Sequence, residues 1–182
     1  MGSRHLKVVL GALLFCVVFS LLAAAVPPEK ARAATTVKTC GGESISLKAR
    51  EKRVLALHNA ARTSRGLKPL CADSRLTRAA RSHSREMIEK DYLAHASYNG
   101  ESVPERLEGF GYHRSVYAEN IAGGSGPLGR PGSIFGRWMD SPPHRTNILD
   151  GRFRPVGVGA YTGNYKGTRD YTMYTVDFGV RG

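Results

Sequence analysis

The sequence is short of cysteine and of acidic residues, with three Cys and 15 Asp plus Glu against 27 Lys plus Arg in 182 residues. It also lacks the short motifs that announce several chemistries. The glycine-rich stretch 123–132 has no Gly-Lys-Ser/Thr ending, so a nucleotide-binding phosphate loop has no support. Neither a Gly-x-Ser-x-Gly elbow nor a His-Glu-x-x-His pair occurs, which removes the local signatures of two large hydrolase classes. Asp177-Phe178-Gly179 copies the letters of a kinase metal motif, but no other kinase element accompanies it, and the triplet reads as part of a strand.

What the chain does have begins at its N-terminus. Arg4 and Lys7 precede an apolar run over 8–26, and Pro27-Pro28-Glu29-Lys30 follows it. That is the order of a secretory leader, with an Ala-x-Ala cleavage site at Ala31-Arg32-Ala33 and an earlier cut among 23–25 as an alternative. The run is close to the roughly 20 residues of a spanning helix, so an uncleaved anchor is the competing reading. Removal of 1–33 takes away four basic residues and one acid, a net three charges, and the formal charge falls from +12 to +9. Outside a cell such a charge favours anionic envelope or extracellular polymers and lipid head groups. No nucleic-acid module is visible. The plainer reading of the charge is a solvated basic surface without a specific partner. Cys16 leaves with the leader, so Cys40 and Cys71 remain as an even pair for one disulfide in an oxidising compartment. For a loop of that length the chain-entropy model gives roughly 3–4 kcal/mol. A catalytic thiolate is not expected.

Apolar spacing predicts a helix over 47–65 ended by Gly66, and a second from Asp73-Ser74 to about Lys90 with Leu76, Ala80, His83 and Met87 on one stripe. His83 is therefore expected in the core with a hydrogen-bond partner. A short helix over 104–110, a strand over 115–121, a mobile or tightly turned loop over 123–132 and a helix over 133–140 follow, the last stopped by Ser141-Pro142-Pro143. Strands are predicted over 156–161 and 171–180, with Gly163-Asn164 and Lys166-Gly167 as turn chemistry between them. Tyr174, Val176, Phe178 and Val180 share a face that should be buried. Helices first and strands last indicate an α+β architecture.

Several segments in order then resemble one family. They are His58-Asn59-Ala60-Ala61-Arg62, Gly66-Leu67-Lys68-Pro69-Leu70, Leu93-Ala94-His95, Arg106 with Gly111-Tyr112, Ala118-Glu119-Asn120-Ile121-Ala122, Trp138 through Arg145, Val156-Gly157-Val158-Gly159, and Tyr174 through Gly179. The ordered set resembles the CAP superfamily of cysteine-rich secretory proteins, antigen 5 and pathogenesis-related proteins, in its bacterial secreted branch. The resemblance implies a three-layer α–β–α sandwich with a central cleft over 51–182, preceded by an arm over 34–50. It also implies a cleft tetrad of two histidines and two acids, matched here by His95, Glu119 and His144. The position of the second acid holds Ser141, with the adjacent Asp140 directed about 100° away on a continuing helix. A three-member site is the expectation.

Two imidazoles and a carboxylate suit a divalent metal, zinc above others, with a fourth position open to water. Glu119 would then be a ligand or a general base, and as a base it is the candidate catalytic residue. The same trio also reads as a structural hydrogen-bond network pinning loops to the sandwich. A Ser141–His144 nucleophile pair is disfavoured by the flanking prolines, and His113 and Arg114 are expected in solvent. Three functions compete: a secreted, monomeric binding module whose cleft takes a metal and a small apolar, lipid or glycan ligand; a metal-assisted hydrolase of peptides or wall polymers; and a scaffold whose loop over 123–132 contacts another protein.

Overall fold

The computed structural model describes residues 1–2 and 35–181; the leader and its cleavage sites lie outside the described residues. The chain divides into units Met1–Lys30 and Ala31–Gly182, and the second is described here. It opens with a hairpin, β1 (Thr35–Lys38) against β2 (Ser44–Leu47). The arm expected over 34–50 is thus regular structure, and Leu47 belongs to its second strand rather than to the first helix. Helix α1 (Ala49–Thr63) starts where the Glu51 carboxylate accepts from the Lys48 N–H at 2.8 Å. It ends before Gly66, whose φ of 70° lets the chain reverse.

β3 (Cys71–Ala72) carries the expected disulfide, Cys40–Cys71, which ties the hairpin to the main sheet. Helix α2 (Ser74–Glu89) is capped by Asp73, whose carboxylate accepts from the Arg75 and Leu76 N–H groups. Helix α3 (Val103–Gly109) has a capping box formed by Ser102 and Glu105. β4 (Tyr117–Gly124), α4 (Pro131–Asp140), α5 (Pro142–Leu149), β5 (Pro155–Tyr165) and β6 (Thr168–Gly179) complete the order.

One expectation is corrected and two are refined. Pro142-Pro143 does end α4, but it also begins α5, because proline at the first helical positions removes only N–H groups that have no intrahelical acceptor. Gly163-Asn164 lies within β5; the turn is Lys166-Gly167, both with positive φ (46° and 80°) as a two-residue hairpin loop requires. The stretch 123–132 takes the tightly turned form. β4 runs on to Gly124, a 3₁₀ turn spans Gly126–Gly129, and α4 starts at Pro131. A Cβ on Gly129 would stand 2.3 Å from the Gly124 carbonyl oxygen, so only glycine permits that approach.

The main sheet has the order β3-β5-β6-β4, with β3 parallel to β5 and the other pairs antiparallel. Alternation sends Val156, Val158, Tyr174, Val176 and Phe178 to one face, where Val54, Ile134, Trp138 and Ile148 from α1, α4 and α5 complete the main core. Val180, expected on this face too, lies just past β6 and is half-buried. The opposite face carries Gly157 and Gly159, and α2 rests directly on them: a Cβ at either would fall about 2 Å from the α2 backbone at Leu76 or Ala80. Ser84 of α2 donates to Thr175 Oγ1 at 2.9 Å. Leu107 and Tyr112 extend this layer through Leu76 and Ala79. The result is the α–β–α sandwich that the resemblance implied.

Candidate functional site at the edge of β4

β4 is an edge strand, and its alternation sends Glu119 to the α2 side of the sheet and Asn120 to the α5 side. The Glu119 side chain is 2% exposed and receives two partners. His95, in the loop between α2 and α3, presents Nδ1 to Glu119 Oε1 at 2.7 Å. Arg106 of α3 pairs with the other oxygen. The same guanidinium donates to the His95 carbonyl at 2.9 Å and to Ser97 Oγ at 3.1 Å, so one buried arginine sets both the carboxylate and the loop. A carboxylate only accepts, which makes Nδ1 the protonated nitrogen of neutral His95 and leaves Nε2 as its free acceptor, on a side chain that is 54% exposed.

On the other side of the strand, Asn120 Nδ2 donates to the His144 carbonyl at 3.1 Å and Asn147 Nδ2 to Asn120 Oδ1 at 2.9 Å, which hangs α5 on β4. His144 Nδ1 pairs with Ser141 Oγ at 2.7 Å. Ser141 stands at the N-cap position of α5, yet its hydroxyl serves His144 rather than the helix. Asp140 ends α4 and is exposed, and His113 and Arg114 are in solvent as expected.

The electrostatics separate the two histidines. The hydrogen bond and charge of Glu119 raise the pKa of His95 against the opposing effect of burial. Burial, followed by the positive charge of His95, lowers that of His144. Burial would raise the Glu119 pKa, but His95 and Arg106 outweigh it and hold the carboxylate ionised. His83 is buried with Nε2 donating to the Ala94 carbonyl at 2.9 Å, the core histidine expected, and it steadies the chain just before His95.

Of the expected trio, His95 and Glu119 are in contact and His144 lies within reach of the His95 charge, but the three do not form a shell of ligands. Both Glu119 oxygens are engaged, and among the described residues no three His, Cys, Asp or Glu side chains are placed to share an ion. The ring atoms left without a partner among the described residues are Nε2 of His95 and Nε2 of His144. The Nδ1 of each ring is already oriented by an oxygen, as outer partners of metal-bound imidazoles commonly do. Two contributors escaped the sequence reading. Arg106 stood out only as a motif residue. Asp177, read as a plain strand residue, pairs in register with Glu119, is fully buried and has neither oxygen hydrogen-bonded among the described residues. Burial, with the Glu119 charge next to it, pushes its pKa well up. A polar residue flanked by Val176 and Phe178 on a buried strand was the one available signal.

The model of the CAP family, the cysteine-rich secretory protein family, matches residues 55–178, which contain every one of these side chains. The chain belongs to the CAP family. This CAP chain is 39% identical over 125 residues to YkwD of Bacillus subtilis (strain 168), covering 69% of itself and 47% of that protein. It is also similar to the crystal structure of an extracellular protein containing an SCP domain from Bacillus anthracis, with TM-score 0.63 and 26% identity over 73% of this chain and 40% of that one. An outer surface protein of Borrelia burgdorferi shares the fold, with TM-score 0.61 and 17% identity over 82% of this chain and 99% of that one. The CAP chain thus spans less than half the length of YkwD and of the Bacillus anthracis protein.

Proposed function

We propose that this CAP domain is an extracellular binding module whose cleft at the β4 edge holds a divalent metal, zinc above others, on His95 and His144, with room for a small apolar or glycan ligand beside it. One observation carries the reading: the Arg106–Glu119–His95 chain, in which a buried carboxylate orients a half-exposed imidazole and leaves its Nε2 free. Glu119 then acts as the orienting partner of a ligand rather than as a ligand. The bound ion would supply Lewis acidity and a site for water. The disulfide, the leader-like start and the description of the Bacillus anthracis neighbour as extracellular support placement outside the cell. Calorimetric titration with zinc, on protein purified without chelator, is expected to give one site per chain. Glu119→Gln should weaken it about 10–100-fold, and His95→Ala with His144→Ala should abolish it. Equal zinc binding by that double variant and the parent would refute the reading.

The half-exposed imidazole beside a buried, ionised carboxylate favours a second reading, a metal-assisted hydrolase of peptides or wall polymers that uses the same cleft. It requires turnover that a chelator stops, zinc restores and Glu119→Gln suppresses in a folded protein. Turnover that survives this substitution removes it.

A further inference from the structure

A concave site shares no residue with the His95–Glu119–His144 group. Where the disulfide, the start of α2 and the chain leaving β6 meet, a cavity of about 290 Å³ opens, lined by Cys40, Asp73, Arg75, Tyr112, Arg114 and Arg181 among others. It is near the lower end of the roughly 300–1,000 Å³ typical of ligand pockets.

The charge in it is unbalanced. Asp73 is the acidic residue of the lining, and its oxygens are committed to the α2 cap and to Nε and Nη2 of Arg75. Arg75 lies 5.5 Å over the Tyr112 ring, and its Nη1 has no acceptor among the described residues. Arg181 meets only the Cys40 carbonyl at 3.5 Å and the Cys71 sulfur at 4.0 Å, and Arg114 has no side-chain partner among the described residues. Glu43 acts on Arg75 as the weakest of its influences. Three arginines on three separate segments thus line one cavity with spare donors. The disulfide fixes the wall that carries the Cys40 carbonyl, and the Tyr112 hydroxyl, donating to the Val180 carbonyl at 2.9 Å, fixes the wall that carries Arg181.

Guanidinium forks suit anions with several acceptor oxygens, and a phosphate offers more of them to three arginines than a carboxylate does. We propose that this cavity binds a phosphate group carried by an anionic polymer. A polymer is favoured over a membrane surface because the large apolar side chains exposed in 35–181, Leu93, Tyr98 and Leu128, are not in its lining and offer nothing to insert beside it. The proposal is independent of the metal reading.

The test uses the exported protein and short-chain inorganic polyphosphate, followed by calorimetry at two salt concentrations. Binding is expected, weaker at higher salt, and at least tenfold weaker in the Arg114→Ala/Arg181→Ala variant with native circular dichroism. A control variant that removes two exposed arginines outside the lining, Arg85→Ala/Arg169→Ala, should stay within twofold of the parent. Equal losses in the two variants would mean diffuse charge and overturn the site. Polyglutamate binding as tightly as polyphosphate would overturn the phosphate assignment. Binding only to phosphatidylglycerol vesicles would replace the polymer with a membrane surface.

Discussion

The central sheet sets a fully buried histidine on one face against a half-exposed one on the other. On the α1/α4/α5 face, His58 sits among Phe135, Trp138 and Phe178, donates to the Val54 carbonyl at 2.9 Å, and has no partner at Nε2. Burial without a counter-charge drives its pKa down to about 4. On the α2 face, burial lowers the pKa of His83 as well, whereas half-exposed His95 moves the other way because the Glu119 carboxylate touches it. Burial alone lowers a histidine pKa, whereas a fixed, desolvated carboxylate in contact with the ring raises it.

The sharpest way to break this contrast is Arg106→Ala. It leaves the Glu119 carboxylate buried beside Asp177 with its strongest counter-charge gone, and removal of one partner of a buried pair costs about 3–5 kcal/mol. Urea unfolding at neutral pH should show that loss, and adding Glu119→Gln should restore part of it. If the single variant unfolds like the parent, Arg106 does not hold the charged face together.

His58 gives the next effect, and it depends on pH. The folded protein binds the proton less readily than the unfolded chain, which takes it up between pH 6.5 and about 4, so stability falls as pH is lowered through that window. The full loss is roughly 3 kcal/mol. His58→Leu should flatten this part of the stability profile, measured as urea midpoints from pH 7 to pH 4. A profile as steep as the parent's would place the acid sensitivity elsewhere.

The smallest effect sharpens the charged side. NMR titration of the histidine ring protons should place His95 above 6.5 and His144 below it. Glu119→Gln should bring His95 down and leave His58 where it was. A His95 pKa indifferent to Glu119 would contradict the 2.7 Å contact.

Much of this was legible in advance, for identifiable reasons. α2 and the buried stripe of β6 follow from apolar spacing, and the disulfide from an even count of cysteines. The second use of Pro142-Pro143 was hidden, since a residue pair that ends one helix is also what starts another. The trio of His95, Glu119 and His144 could be named only from ordered motifs, as residues 24 and 25 apart in the chain carry no local geometry. Arg106 was present in those motifs without a role, because a role needs a partner.

By itself the sequence determined the residue types, the periodicities that make helices and strands, the pairing of Cys40 with Cys71 and the family. Only the tertiary structure decided that Glu119 belongs to His95 and Arg106, that Asp177 lies unpartnered beside it, and that Arg75, Arg114 and Arg181 share a cavity. Charge interactions act through distances of a few ångströms and through burial, and neither is written in the spacing of residues along a chain.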